Sequence, residues 1–273
     1  MQIEGGVGRQ KIVTYMGAKS GIGNTSVALN TAVQLAKKNL RVIFIEFNER
    51  TPAANYWYEL GYVEDGVDSA IRGLQENDFE KIEKAIIRTS ELVKKESSLQ
   101  KNYKRFPEKL DFMFFSNQYL TRRREEIYDL DLRLTKELCL YLLFQLDYNY
   151  VILDVPSDIE SEATRNALLY SNKVFITATQ DVSSIGHALY IQNELSKQGI
   201  YMPKKIYYII NRFEDAKLNL EEICDWIQTP NVLTVPCMNK EFINANCIGM
   251  PVVSYSKNQR LKNAFPEIEK SIL

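Results

Sequence analysis

Short, uninterrupted apolar runs recur along this chain, and longer stretches with the composition of helices separate them. Clear examples are residues 42–45, 151–153 and 206–210. A run that is apolar on both faces suits a central strand of a parallel sheet, which helices cover on each side. Strands that alternate with helices therefore predict an α/β fold with a doubly wound, mostly parallel sheet and helices on both faces. The seven predicted strands are 11–16, 41–46, 110–115, 150–154, 173–178, 205–210 and 231–235.

Composition and charge exclude several classes of protein. The 273 residues include 34 basic and 35 acidic side chains, and this balance argues against a protein that coats nucleic acid through bulk electrostatics. No apolar run reaches the roughly 18 residues of a membrane-spanning helix. The four cysteines form no C-x-x-C pair, which argues against a zinc site and fits a reducing compartment. These features predict a cytoplasmic α/β protein.

The chain is predicted to form a single domain over residues 1–273, because no linker composition or internal repeat divides it. Residues from about 64 to 108 are more polar and carry many charges, which predicts a helical insertion of one or two surface helices. The tail, 257–273, is interpreted as a last helix packed on the core. A membrane anchor is less favoured there, because Pro266 interrupts the segment and its apolar side is thin.

A glycine-rich turn follows the first predicted strand and leads into a helical stretch. Gly17 and Gly23 match the two glycines of the phosphate-loop pattern G-x-x-x-x-G-K-[ST], Thr25 matches the hydroxyl position, and Asn24 stands where the lysine is expected. In such a strand–turn–helix unit, successive backbone N–H groups and the helix N-terminus form a cradle for phosphate oxygens. The segment is therefore a candidate phosphate-binding loop.

The loop also resembles the deviant Walker A motif, K-G-G-x-G-K-T-[ST], of the MinD/ParA family of dimeric P-loop ATPases. Lys19 matches the first lysine of that motif in the segment 19–26. Further segments resemble the family in the same order along the chain: 42–52 its second strand and switch I, 148–156 its Walker B and switch II, 209–212 a strand end that contacts adenine, and 235–236 with 248–252 its closing pattern.

The resemblance implies a role for each matching residue, with ATP or ADP and Mg²⁺ as cofactors. Lys19 reaches across a homodimer to the partner's nucleotide, and Glu46 and Asn48 stand with it at the catalytic positions. Thr25 and Asp154 hold the metal, and Asn211 reads the adenine. The implied nucleotide-binding residues are Gly17, Ser20, Gly21, Ile22, Gly23, Asn24, Thr25, Ser26, Asn211, Arg212 and Pro236.

Three departures from the family pattern predict a degenerate ATPase. Asn24 replaces the loop lysine, Asn48 replaces the second switch I acid, and Ser20 replaces the first glycine of the usual pair. A charge-assisted hydrogen bond contributes about 1.5–3 kcal/mol, so the lost lysine weakens nucleotide binding about 10- to 100-fold. Hydrolysis suffers more, because phosphoryl transfer depends on charge compensation. Lys19 of a partner subunit could restore part of the charge.

Three branches of the family remain open. Residues 154–160 look most like TadZ/CpaE-type pilus assembly proteins, which implies a localisation scaffold for a membrane-associated assembly or secretion machine, recruited through partners to the membrane periphery or cell pole. Residues 46–52 resemble the D-x-D-x-R-x-P segment of bacterial tyrosine kinases, but no C-terminal tyrosine cluster follows. An active ATPase of the ParA/MinD type, in DNA partition or cell division, is the third. DNA is not an expected partner, because the charge balance offers no clear basic face.

Overall fold

A computed structural model describes residues 10–48, 52–58, 60–92, 106–121, 130–199 and 204–273. Its described strands form one sheet in the order β3-β4-β2-β5-β1-β6-β7-β8, and every neighbouring pair is parallel except β3 with β4. The predicted α/β fold with a mostly parallel sheet is confirmed. The strands are β1 (Lys11–Gly17), β2 (Val42–Glu46), β3 (Ile87–Arg88), β4 (Leu110–Met113), β5 (Tyr150–Val155), β6 (Lys173–Thr179), β7 (Ile206–Phe213) and β8 (Val232–Pro236).

All seven predicted strands are present, and their ends lie within three residues of the predicted ones. The strand β3 was not predicted. It has only two residues and pairs antiparallel with β4 at the sheet edge, so its sequence is too short to show a period of two. The strand β7 extends beyond its predicted end at residue 210, because Asn211, Arg212 and Phe213 continue it at the carboxyl edge of the sheet, where the apolar run has ended.

Helices lie on both sides of the sheet, where two clusters of buried side chains form the core. Within the described ranges, no helix combines the length and the apolar character that a membrane crossing needs. The helices are α1 (Asn24–Ala36), α2 (Ala54–Tyr58), α3 (Val67–Glu76), α4 (Phe79–Lys84), α5 (Thr89–Leu92), α6 (Asn117–Thr121), α7 (Thr135–Phe144), α8 (Glu162–Tyr170), α9 (Val182–Lys197), α10 (Leu220–Ile227), α11 (Asn239–Cys247), α12 (Val252–Tyr255) and α13 (Gln259–Ile272), and a 3₁₀ turn spans Leu132–Leu134.

The last helix, α13, packs on the core as the sequence suggested. Leu261, Phe265, Ile268 and Ile272 are buried at helical spacing, and the helix contacts α1 and β8. Pro266 lies within it and does not end it. The apolar side of this tail is therefore packed against the core of the same molecule.

The polar stretch around residues 64–108 contains α3, α4, β3 and α5, while residues 93–105 lie outside the described part. Both α3 and α4 bury one face, through Val67, Ile71 and Ile82, in the main core cluster. Most of their charged residues face outward, with ion pairs such as Lys84 to Glu80, whereas Asp68 is buried and accepts from the backbone N–H and hydroxyl of Ser116. Helices α3 and α4 thus each cover apolar core. The division of the chain into domains stays a prediction.

The site is positioned by the order of the central strands. The chain passes from β1 through α1 toward β2 on one side of the sheet, whereas β6 leads to β7 on the other side. Where connections diverge in this way, a crevice opens at the carboxyl ends of the strands. The loops after β1, β2, β5 and β7 all reach that edge.

Candidate functional site

A cleft of about 980 Å³ opens at the carboxyl edge of the central strands. Its size suits a small-molecule ligand of nucleotide dimensions. The candidate loop forms its floor, and three further segments supply its walls. The lining residues are Lys19, Ser20, Gly21, Ile22, Gly23, Asn24, Thr25 and Ser26 from the loop, Asn48, Ala53 and Trp57 after β2, Asp154, Val155, Pro156, Ser157 and Asp158 after β5, and Asn211, Arg212, Pro236, Met238, Asn239, Phe242, Ile243 and Asn246 on the last wall.

The loop between β1 and α1 has the backbone of an anion-binding turn. Gly21 and Gly23 adopt left-handed conformations, with φ of 77° and 90°. A side chain at Gly23 would also strike the amide of Asn211, whose Nδ2 lies 2.5 Å from the position of an added Cβ. Gly17 is required for close approach, since an added Cβ would lie 2.8 Å from Oγ of Ser157. The glycines therefore shape the cradle and keep its backbone bare.

Asn24 is committed to two buried partners at the base of the loop. Its Nδ2 donates to Oδ1 of Asp154 at 2.7 Å, and its Oδ1 accepts from the hydroxyl of Thr177 at 2.8 Å. The backbone N–H of Ala18 also donates to the carbonyl of Thr177, at 2.7 Å. The amide of Asn24 thus links the loop to β5 and β6. A lysine at this position would instead supply positive charge.

Asp154 has the surroundings of a metal ligand. It is 1% exposed and lines the cleft, and its Oδ2 has no hydrogen-bond partner. Burial raises the pKa of Asp154, and the nearby donor groups of Thr25 and Asn24 offset part of that increase. Hard cations such as Mg²⁺ prefer carboxylate and hydroxyl oxygens. The hydroxyl of Thr25 and the carboxylate of Asp154 line the same cleft, and these oxygen donors fit Mg²⁺. That the two residues hold a metal stays a prediction.

Glu46 and Asn48 occupy different environments at the end of β2. Glu46 is 1% exposed behind the cleft wall, and its Oε1 accepts from the backbone N–H groups of Ala53 and Ala54 at 2.8 and 3.2 Å. Burial, and then the charge of Asp154 on the neighbouring strand, raise the pKa of Glu46. Asn48, in contrast, lines the cleft. Of these two predicted catalytic residues, the neutral one faces the ligand space.

Lys19 lies at the rim of the cleft and is paired within its own chain. Its Nζ is 3.1 Å from Oδ1 of Asp181, and both side chains are more than a third exposed, at 38% and 48%. Partial burial acts to raise the pKa of Asp181, but hydrogen bonds from Thr179 and Ser184 and the Lys19 charge outweigh it and lower the pKa. The charge expected to act at a phosphate is thus balanced by a carboxylate.

Asn211 and Arg212, at the end of β7, form hydrogen bonds with backbone carbonyls of the loop. Nδ2 of Asn211 donates to the carbonyl of Ile22 at 2.7 Å, and the Arg212 guanidinium donates to the carbonyl of Gly21 at 3.0 Å. The Asn211 side chain, predicted to contact adenine, therefore donates its hydrogen bond to the protein backbone. Pro236 lies buried at the end of β8 in the same wall of the cleft.

Several residues that line the cleft or bond to its lining were not foreseen from the sequence. Thr177 and Asp181 come from β6 and the start of α9, which carry no phosphate-loop motif, and their partners lie more than 150 residues away. Trp57 and Phe242 supply aromatic surface from α2 and α11. Trp57 and Phe242 each lie in a helix, where an aromatic residue gives only the usual signal of a packed side chain.

Comparisons with known proteins agree with this geometry. The family model AAA_31, described as an AAA domain, matches residues 10–197. A search of curated proteins found no match. Similar solved structures include the septum site-determining protein MinD with Mg-ADP from Pyrococcus horikoshii OT3 (TM-score 0.73, 17% identity, 96% of each chain covered). They also include MinD in a MinC:MinD complex from Aquifex aeolicus (0.70, 18%, 95% of this chain and 94% of that one) and a ParA family ATPase from Chlorobium tepidum TLS (0.67, 15%, 96% and 98%). The predicted P-loop fold of the MinD/ParA type is confirmed.

Proposed function

Because the chain belongs to the AAA-domain family that matches residues 10–197, we propose that it is a dimeric, nucleotide-binding scaffold that binds Mg-ATP weakly and hydrolyses it slowly or not at all. One observation carries the proposal. Asp154 offers an unsatisfied, buried carboxylate oxygen at the phosphate loop, whereas Asn24, at the lysine position, is neutral and tied to Asp154 and Thr177. The site therefore has a carboxylate suited to a metal ion and a backbone cradle for phosphate. It lacks the positive charge that a loop lysine of the same subunit would supply.

The chemistry expected of the site follows from its residues. The N–H groups of the loop and of the first turn of α1 bind phosphate oxygens, and Thr25 and Asp154 hold Mg²⁺, which would neutralise phosphate charge. No carboxylate stands at Asn48 to orient a water molecule, and an amide accepts a proton poorly. Binding is therefore retained more fully than hydrolysis.

The finer assignment is a scaffold that marks the assembly site of a membrane-associated pilus or secretion machine, as in TadZ/CpaE-type proteins. The support is the resemblance of residues 154–160 and the absence of an evident hydrolytic residue at Asn48. A fold-level neighbour is MinD of Aquifex aeolicus, solved as a MinC:MinD cell division protein complex. By analogy, the partners of this chain are proteins that recognise its dimer.

Calorimetric titration with ATP, with and without Mg²⁺, tests the proposal, with light scattering to measure mass in parallel. We expect weak binding that requires Mg²⁺ and shifts the mass toward that of a dimer. Asp154→Ala should remove the Mg²⁺ dependence. Rapid phosphate release by the wild-type chain would favour the active ParA/MinD-type ATPase instead, and absence of binding at millimolar ATP would leave only a nucleotide-independent platform.

A further inference from the structure

Among the described residues, two cationic side chains line the cleft, and one of them has a carboxylate partner while the other has none. Lys19 is paired with Asp181, whereas the guanidinium of Arg212 contacts a backbone carbonyl and has no carboxylate partner within the described chain. The loop position that carries a cation in the usual pattern holds Asn24. The positive charge inside a single subunit's cleft is therefore concentrated at Arg212.

We propose that Arg212 supplies, in cis, the charge that Asn24 does not, and so binds the phosphates of the nucleotide rather than its base. This inference rests on the proposed function and deepens it. A guanidinium presents five N–H donors in a planar fork that matches phosphate oxygens. Among the described residues, the fork makes one hydrogen bond, to the carbonyl of Gly21, which leaves donors for an anion in the adjoining cradle.

The backbone at Arg212 is arranged to aim the side chain at the loop. Its φ is 57°, a left-handed conformation that arginine adopts rarely. The pairing of β7 with β8 is irregular between Ile210 and Phe213, and such irregularities redirect side chains next to functional sites. An ordinary strand residue at this position would point away along the pleat. Backbone strain of this kind is commonly retained where it serves function.

Asn211 locks that conformation and fixes the distance to the loop. Its Oδ1 accepts from the backbone N–H of Arg212 at 2.9 Å, while its Nδ2 donates to the carbonyl of Ile22. The two neighbouring side chains therefore hold consecutive carbonyls, those of Gly21 and Ile22, on the outside of the turn. These contacts use carbonyl oxygens of the turn and none of its N–H groups. The N–H groups therefore stay available for phosphate.

Equilibrium titration with Mg-ATP at several salt concentrations tests this role through four variants. Arg212→Gln should weaken binding about 10- to 100-fold and reduce its salt dependence, as expected for a lost charge-assisted contact. Arg212→Lys should retain an intermediate affinity, because a point charge replaces the fork. Adding Asn24→Lys to Arg212→Gln should recover most of the lost affinity. Arg133→Gln, which removes the same charge from an exposed pair with Asp131, should change nothing.

Arg212→Gly separates function from folding. Glycine adopts the left-handed conformation without strain, so this variant should be at least as resistant to urea as the wild type while it binds Mg-ATP as weakly as Arg212→Gln. If Arg212 read the base, Arg212→Gln would change the preference for ATP over GTP, and Asn24→Lys would not rescue it. That result, or undiminished Mg-ATP binding by Arg212→Gln, overturns the inference while the proposed function stands. Absence of Mg-ATP binding by the wild-type chain overturns both.

Discussion

Two buried aspartates near opposite ends of the sheet are held in different ways. Asp111, near the amino end of β4, has both oxygens satisfied: Oδ1 accepts from the backbone N–H of Thr89 at 3.2 Å and Oδ2 from the hydroxyl of Tyr148 at 2.6 Å. Asp154, near the carboxyl end of β5, has one oxygen bonded to Asn24 and the other without a partner. Burial raises the pKa of both side chains. The fully satisfied carboxylate holds the fold together, whereas the half-satisfied one is prepared for a ligand.

The largest expected effect tests this contrast directly. Asp111→Ala leaves the Thr89 N–H and the Tyr148 hydroxyl unpaired in the core, and each such group costs about 1–3 kcal/mol, so the free energy of unfolding should fall by about 3 kcal/mol. Asp154→Ala removes an uncompensated buried charge along with one hydrogen bond, and its effect should stay within about 1 kcal/mol. Urea unfolding in the presence of EDTA measures both. Equal losses would remove the distinction between the two aspartates.

A second prediction changes the donor that faces Asp154. Asn24→Lys places a cation beside an unsatisfied carboxylate and a phosphate cradle, so Mg-ATP affinity should rise about 10-fold, equivalent to about 1.4 kcal/mol. Phosphate release should increase less, because Asn48 is unchanged. Thermal unfolding of the variant checks that loss of the Thr177 hydrogen bond has not disordered the loop. Unchanged affinity in a folded variant would mean that the loop charge is not what limits binding.

Much of this arrangement was accessible from the sequence. Continuous apolar runs such as 42–45 predicted the central strands, and the glycine spacing predicted the loop that brings Thr25 to the same cleft as Asp154, because both patterns are local. What the sequence could not show depends on distant contacts. The direction of the Asn24 amide is set by Thr177, 153 residues away, and the aim of Arg212 depends on how β7 pairs with β8. The two-residue strand β3 is formed by its partner, since so short a segment has no pattern of its own.

The third prediction uses pH to examine the pair of acids on β2 and β5. Burial and the charge of Asp154 raise the pKa of Glu46 above its ordinary 4.5, so the folded chain keeps a proton that the unfolded chain has lost. Stability from this group is complete below the unfolded pKa and is lost as pH rises through the folded pKa. Glu46→Gln removes that dependence and still accepts from Ala53. Its advantage over the wild type, in urea unfolding with EDTA, should be near zero at pH 4 and grow as the pH rises toward 8. If the free energies of unfolding of the variant and the wild type differed by the same amount at all pH values, the pKa of Glu46 would not be raised.

The smallest expected effect belongs to the exposed ion pair at the cleft rim. Lys19 and Asp181 are both solvent-accessible, and such pairs contribute about 0–1 kcal/mol because water and salt screen them. Asp181 also caps α9 by accepting from the backbone N–H of Ser184 at 2.9 Å, and asparagine caps helices equally well. Asp181→Asn should therefore change the free energy of unfolding by less than about 0.5 kcal/mol, whereas Asp181→Ala should cost about 1 kcal/mol through the lost cap. If the asparagine variant were as unstable as the alanine variant, the ion pair would matter more than the cap, and Lys19 would be held in place too firmly to leave its own chain for a partner's phosphate at small cost.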